Sequence, residues 1–293
     1  MRAAVYHEIS PVSRREHHAR AATIVDDEAA SLRHRVAGAF VEDPVLAGDL
    51  AAFARREADR GAWGSAADAL VSASRLVAGV PATRDLLLEG VECMLLGGDL
   101  SAALAATEDV SAFEQSAHRD YVLGTLALMV GRHEEAEQLL VRAFEACDQT
   151  TERRLVADIA GQLSNLHLTW ARPGEGATWA ARALDAGQGR SLVDVLSCQA
   201  TGLVMSGRRA EALSCVAGLP DPSRHRTLDS LNGYLGRGFA RCVTDDFAGA
   251  RSDLLPLIGA LGQRGLTYVA IAAISVLAVA EYRLGLWDDA VMH

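Results

Sequence analysis

Gly131-Arg132-His133-Glu134-Glu135-Ala136-Glu137-Gln138-Leu139-Leu140-Val141-Arg142-Ala143 is the stretch that decides the fold. The glycine ends one helical run, and Ala136, five residues on, lies inside the next. Glycine closes a helix cheaply because it enters the left-handed conformation without a Cβ clash. An alanine suits the point where two helices cross, since a larger side chain would push the backbones apart. Val122, Leu126 and Met129 before the step, and Leu139, Leu140 and Phe144 after it, keep helical spacing. The step recurs as Gly61 to Ala66, Gly98 to Ala103, Gly207 to Ala212 and Gly285 to Ala290, with degenerate copies from Arg172 to Ala177 and from Asp245 to Ala250. Copies stand 33 to 41 residues apart. Two helices in a period of that length are the mark of a helical solenoid.

Composition agrees. Half of the 293 residues are apolar and only 5% are aromatic. Such a chain, rich in alanine and leucine, favours helices over strands. All 28 basic residues are arginine, which removes the phosphate-binding lysine of a P-loop, a Schiff-base lysine and a lysine general base together. A net charge of −10 argues against a nucleic-acid surface, which shows as a basic patch or stripe. Five cysteines are scattered with no Cys-x-x-Cys pair, the pattern of reduced thiols in a reducing compartment. No signal-peptide core opens the chain. The most apolar run, Leu266 to Ala280, is shorter than a membrane span of about 18–20 residues and reads as a buried repeat helix. The expected location is the cytoplasm.

Residues 1–58 lie outside the regular punctuation and read as a helical segment; residues 59–293 read as about seven repeats. Ser10-Pro11, Asp26-Asp27-Glu28 and Asp43-Pro44 each mark a helix start. The last repeat is truncated, since the sequence runs only three residues past Ala290. An uncovered face there would let two copies form a homodimer.

With the step placed in a helix pair, the units resemble tetratricopeptide repeats. Gly124, Gly131, His133, Ala136 and Ala143 match that family's first-helix glycine, turn glycine, turn aromatic, crossing alanine and second-helix alanine. Trp63, Phe247 and Trp287 supply the turn aromatic elsewhere, Leu100 replaces it with an aliphatic, and Arg209 departs from it. The resemblance implies an all-α fold, a right-handed superhelix of antiparallel helix pairs. A second resemblance spans nearly the whole chain. Arg2-Ala3-Ala4-Val5-Tyr6, then Arg14, Arg15 and His17, then Arg33-His34 with Val36, Ala37 and Gly38, lead into Arg60-Gly61 and Ala66-Ala67. This order is similar to the middle of large ATP-binding LuxR-family (MalT-like) transcription regulators. There it would be the tail of a winged-helix module followed by the helical-repeat sensor region. The motif of that family's ATPase and its basic recognition helix are not in this sequence.

No catalytic set can be read. His17 and His18 are adjacent and point to different sides of a helix, and His7, His34 and His118 have no partner at metal spacing. Gly233, Gly236 and Gly238 lie in a predicted helix with no preceding strand, unlike a dinucleotide-binding loop. Asp245-Asp246 and Asp288-Asp289 sit at helix starts, where the helix dipole favours them. The histidine and glutamates of the Gly131 turn read as solvated. The expected site is instead the polar stripe of the first helices, which line the concave face of such a superhelix. Asp194, Ser197 and Thr201 share one helix face, with His118, Tyr121, Gln162, Asn232 and Tyr282 at comparable offsets in other units. That groove would hold a small effector, a peptide or a partner protein; the plainer reading is the wet face of a solenoid. The expected function is thus a non-catalytic scaffold without cofactor or metal. It is either the sensor region of a LuxR-family regulator or a free-standing tetratricopeptide-type adaptor between proteins, with no direct nucleic-acid or membrane binding.

Overall fold

The computed structural model describes residues 9–187, 189, 192–219, 228–262 and 267–293, the side chains of 228–232, 259–262 and 267–270 excepted. All regular structure among the described residues is α-helical, as the composition and the period require. The chain divides into two compact units, Met1–Glu114 and Gln115–His293.

The first unit, described from residue 9, holds α1 (Pro11–Ile24), α2 (Glu28–Gly38), α3 (Pro44–Asp59), α4 (Trp63–Ser74), α5 (Val80–Gly97) and the short α6 (Leu100–Ala105) and α7 (Thr107–Ala112). Its helix starts are those expected from sequence. Ser10, Asp27 and Asp43 accept hydrogen bonds from the Ser13, Ala30 and Leu46 amides and so satisfy donors that a helix start leaves open. One core joins Leu46, Leu50 and Phe53 of α3 to Ala66, Leu70 and Ala73 of α4 and Cys93 of α5. The expected boundary at residues 58/59 therefore falls in the last turn of α3, just before the turn to α4 and inside a continuous core. Sequence punctuation marks a turn there, but apolar burial crosses it.

The second unit holds first helices α8 (Ala117–Met129), α10 (Arg153–Thr169), α12 (Leu192–Met205), α14 (Leu228–Val243) and α16 (Thr267–Arg283). The second helices are α9 (His133–Ala146), α11 (Pro173–Ala186), α13 (Arg209–Val216), α15 (Phe247–Gly262) and α17 (Trp287–Met292). Each first helix packs on its own second helix and on the first helix of the next pair. This is the α-solenoid arrangement.

One turn recurs through both units. Gly61, Gly98, Gly131, Gly207 and Gly285 are left-handed, and so are Ala171 and Asp245 in the degenerate copies. After each, the next amide reaches back to close the helix: Arg132 N to Ala127 O at 2.8 Å, Arg172 N to His167 O at 2.8 Å, Asp246 N to Arg241 O at 3.0 Å. The crossing residues Ala66, Ala103, Ala136, Ala212 and Ala250 are fully buried, while Ala290 is half-buried.

The degenerate copy at 172 is shifted by one. Ala171 takes the place of the turn glycine, so the crossing residue is Gly176 and not Ala177. A Cβ at Gly176 would stand 2.9 Å from Leu168 Cγ and 3.3 Å from Ser164 O, and Ser164 Oγ donates to Gly176 O at 2.8 Å. Even alanine would not fit there.

Candidate functional site

The −10 charge is partly folded inward. Asp120 is buried and accepts from Arg119 Nη1 at 3.0 Å, Arg142 Nε at 2.9 Å and Gln115 Nε2 at 3.2 Å. Asp253 receives a two-point contact from buried Arg237 at 2.9 and 2.6 Å and a third bond from Arg241 at 2.8 Å. Arg237 also donates to Leu219 O, tying α14 to the end of α13. Glu281 is enclosed by Arg251 at 3.0 Å and the His293 ring at 2.8 Å. These carboxylates are saturated by arginine and histidine and act as ties between helices. The sequence reading missed all three, because their arginines lie up to 30 residues away along the chain.

The turn pairs behave as their positions suggest. Asp246 Oδ1 accepts from the Gly249 amide at 2.9 Å at the start of α15, and Asp289 receives Arg251 at 3.1 Å. In the Gly131 turn, Glu134 and Glu135 are exposed as expected. His133 is not: it packs edge-on against Trp170, centroids 6.2 Å apart, with the Arg172 guanidinium over the same indole at 4.7 Å. Beneath them, buried His167 lies 3.3 Å from Glu175 and 3.9 Å from Glu137. An open cleft of about 730 Å³ lies along this turn, lined by Arg132, His133, Glu134, Glu135, Trp170 and Arg172. None of the eight expected site residues lines it.

The expected polar stripe is only partly available. Tyr121 is 4% exposed and Ser197 8%; both are buried, Ser197 in the packing between first helices. Ser197 abuts Gly236 of α14, where a Cβ would come within 2.8 Å of its Oγ. The three-glycine run of α14 is thereby explained as well: Gly233 and Gly236 let α14 close on Val193 and Ser197 of α12, and Gly238 meets Leu254 of α15. His118 is half-buried with its ring stacked on Tyr121 at 6.4 Å. Gln162, Asp194 and Thr201 are half-buried, and Tyr282 is 66% exposed on α16. The side chain of Asn232 lies outside the described residues.

Register against the turn sorts these residues better than helix faces do. Thirteen residues before the closing residues Gly131, Ala171, Gly207 and Asp245 stand His118, Asp158, Asp194 and Asn232. Their helices α8, α10, α12 and α14 are packed in succession, so the four positions stand at one register along the stack. Asp158 is the member that sequence reasoning missed, because the degenerate copy was registered on Arg172 and not Ala171. Arg154 lies 3.6 Å from the Asp158 carboxylate, and the Asp158 side chain is only 7% exposed, so it meets a ligand only at the edge of the helix packing. Burial, then the Asp194 charge, push the Cys198 thiol up to about 12, against a lowering hydrogen bond with Ser164.

Among the described residues no group of three or more His, Cys, Asp or Glu is placed to hold a metal ion. None of their helices is long and apolar enough to cross a membrane, Thr267–Arg283 included.

No protein-family model and no curated protein matches the sequence. Solved structures share its fold, two Rap proteins among them. A Rap protein complexed with Competence and Sporulation Factor aligns at 13% identity and a TM-score of 0.59, covering 95% of this chain and 88% of that one. The apo form of RapI aligns at 11% identity and a TM-score of 0.55, covering 84% and 74%. At these identities the likeness concerns architecture. The chain is an all-α protein of tetratricopeptide-like antiparallel helix pairs, the fold it shares with Rap proteins.

Proposed function

We propose that the chain is a non-catalytic helical-repeat adaptor that binds a peptide or an extended segment of a partner protein. The observation that carries this is the row His118, Asp158, Asp194 and Asn232, set at one register on four successive first helices. Repeated polar positions at fixed spacing suit a ligand that is itself repetitive, as a polypeptide backbone is. With Asp194 and the Arg154-paired Asp158 at its centre and a net charge of −10, the row favours a segment bearing arginine, lysine or a free amino group. The similar fold solved with Competence and Sporulation Factor supports a binding role for such an architecture. The buried carboxylates Asp120, Asp253 and Glu281 support it from the other side, since each is held by arginine as a tie between helices.

The test is selection of binders from a random peptide library on the whole chain, followed by fluorescence polarisation. Selected peptides should be basic. They should lose about tenfold or more in affinity to the Asp158→Asn, Asp194→Asn double variant, since a charge-assisted contact contributes about 1.5–3 kcal/mol. Peptides that bind the double variant equally well would remove the row from the site.

The alternative is that the chain serves as the sensor region of a LuxR-family regulator. It rests on the resemblance through Arg14, Arg15, His17 and Arg33-His34, which lie in α1 and α2. Flanking coding sequence decides it: an ATP-binding module before and a helix-turn-helix after would support the regulator.

A further inference from the structure

The N-terminal helix pair holds a contact that neither the repeat nor the polar row explains. No residue of α1 is fully buried, so the helix depends on a few specific contacts with α2 and the residues just after it. Ser31 Oγ donates to Ala22 O at 2.8 Å, and the Arg15 guanidinium lies over the Phe40 ring at 4.2 Å. The third contact is between two histidines. Nδ1 of His18 and Nδ1 of His34 stand 2.9 Å apart, with ring centroids at 5.1 Å and planes tilted by 40°. Both rings are half-buried, whereas His17 next door is exposed.

At this distance one ring donates its Nδ1–H to the other's Nδ1 lone pair, and a metal ion that displaced this proton would meet two imidazole lone pairs. The separation selects among metals. With metal–imidazole bonds of about 2.05 Å, two nitrogens at right angles stand about 2.9 Å apart, and two at the tetrahedral angle about 3.3 Å. The observed 2.9 Å is the right-angle edge. We propose that His18 and His34 form a two-imidazole site for a tetragonal divalent transition-metal ion, Cu²⁺ or Ni²⁺. Water completes the coordination, because the described residues bring no third His, Cys, Asp or Glu into reach. Cu²⁺ binds more tightly than Ni²⁺, following the general order of nitrogen sites. Bound there, the ion clamps α1 onto α2.

Cu²⁺ titration of the metal-free full chain tests this, by calorimetry and by electron paramagnetic resonance of the one-to-one complex. The expected spectrum shows two equatorial nitrogens. His18→Ala and His34→Ala should each weaken Cu²⁺ at least about tenfold, the lower end of what losing even a supporting hydrogen bond costs a metal site. His17→Ala and His133→Ala should leave the affinity unchanged. A tight site that survives both His18→Ala and His34→Ala overturns the assignment, and so does a wild-type spectrum with one nitrogen or with three. Should either alanine variant lose helix by circular dichroism, the wild-type nitrogen count decides alone.

Discussion

Gly236→Ala probes the close approach of α14 to the backbone of α12. A Cβ on Gly236 would stand 2.6 Å from Ser197 Cα and 2.8 Å from Ser197 Oγ. The hydroxyl can rotate away, but Cα belongs to the backbone of α12, so α14 itself must move. Overpacking of this kind costs about 1–3 kcal/mol. A clash with backbone belongs in the upper part of that range. Against it stands the gain of up to about 1 kcal/mol from replacing glycine by alanine inside a helix. The net expectation is a loss of about 2 kcal/mol. Gly174, at the start of α11 in the same unit, supplies the comparison, because nothing lies within 4 Å of its Cβ position. Gly174→Ala should range from neutral to about 1 kcal/mol stabilising. Urea denaturation followed by circular dichroism reads both, with the slope checked for a change in the unfolding reaction. The midpoint should fall for Gly236→Ala and hold or rise for Gly174→Ala. Equal shifts in the two variants would refute the close approach of α14 to α12, and with it the reading of the α14 glycines as packing residues.

Asp253→Asn leaves buried Arg237 without its two-point carboxylate partner and should cost about 3–5 kcal/mol in urea; a loss under 1 kcal/mol would show that Asp253 is not the tie described. Ala171, left-handed at φ 55°, carries strain that glycine would not, so Ala171→Gly should stabilise by about 0.5–1 kcal/mol, and Gly131→Ala should destabilise by at least as much. Burial, reinforced by Glu152, raises the Cys147 thiol from 9.0 to about 11. Native Cys147 should therefore alkylate far more slowly at pH 9 than after unfolding, and rates equal in both states would contradict its burial. Because the folded value lies above the unfolded one, this thiol's share of stability is complete below pH 9 and is lost as pH rises toward 11. Ile271, Val279, Tyr282, Trp287, Val291 and Met292 are exposed on α16 and α17, so sedimentation should show association that rises with concentration and falls on Val279→Glu; a monomer at every concentration would end the dimer expectation.

Local chemistry was legible in the sequence. The starts of α1, α2 and α3 follow from Ser10, Asp27 and Asp43, because a cap acts on amides two or three residues away. The repeat was legible for a similar reason: a left-handed residue and a buried small residue five positions on are both demanded by one turn. At the 172 copy, where the turn residue changed to alanine, register slipped. Ala171 adopts glycine's conformation without glycine's signature, so the crossing moved to Gly176 and Asp158 was lost from the polar row. Tyr121 and Ser197 carry polar atoms at groove offsets yet are buried, Ser197 because the neighbouring first helix closes on it at Gly236.

The amino-acid sequence by itself determined that this protein is all helix, in pairs, with small residues where the pairs cross. Those facts depend on backbone preference and on spacing within some forty residues. Tertiary structure alone decided which polar groups are satisfied and which remain available. Asp253 meets Arg237, and His18 meets His34, across distances in sequence that no periodicity encodes. Charge and imidazole chemistry depend on what stands within a few ångströms, and in a stack of helices that neighbour comes from another helix.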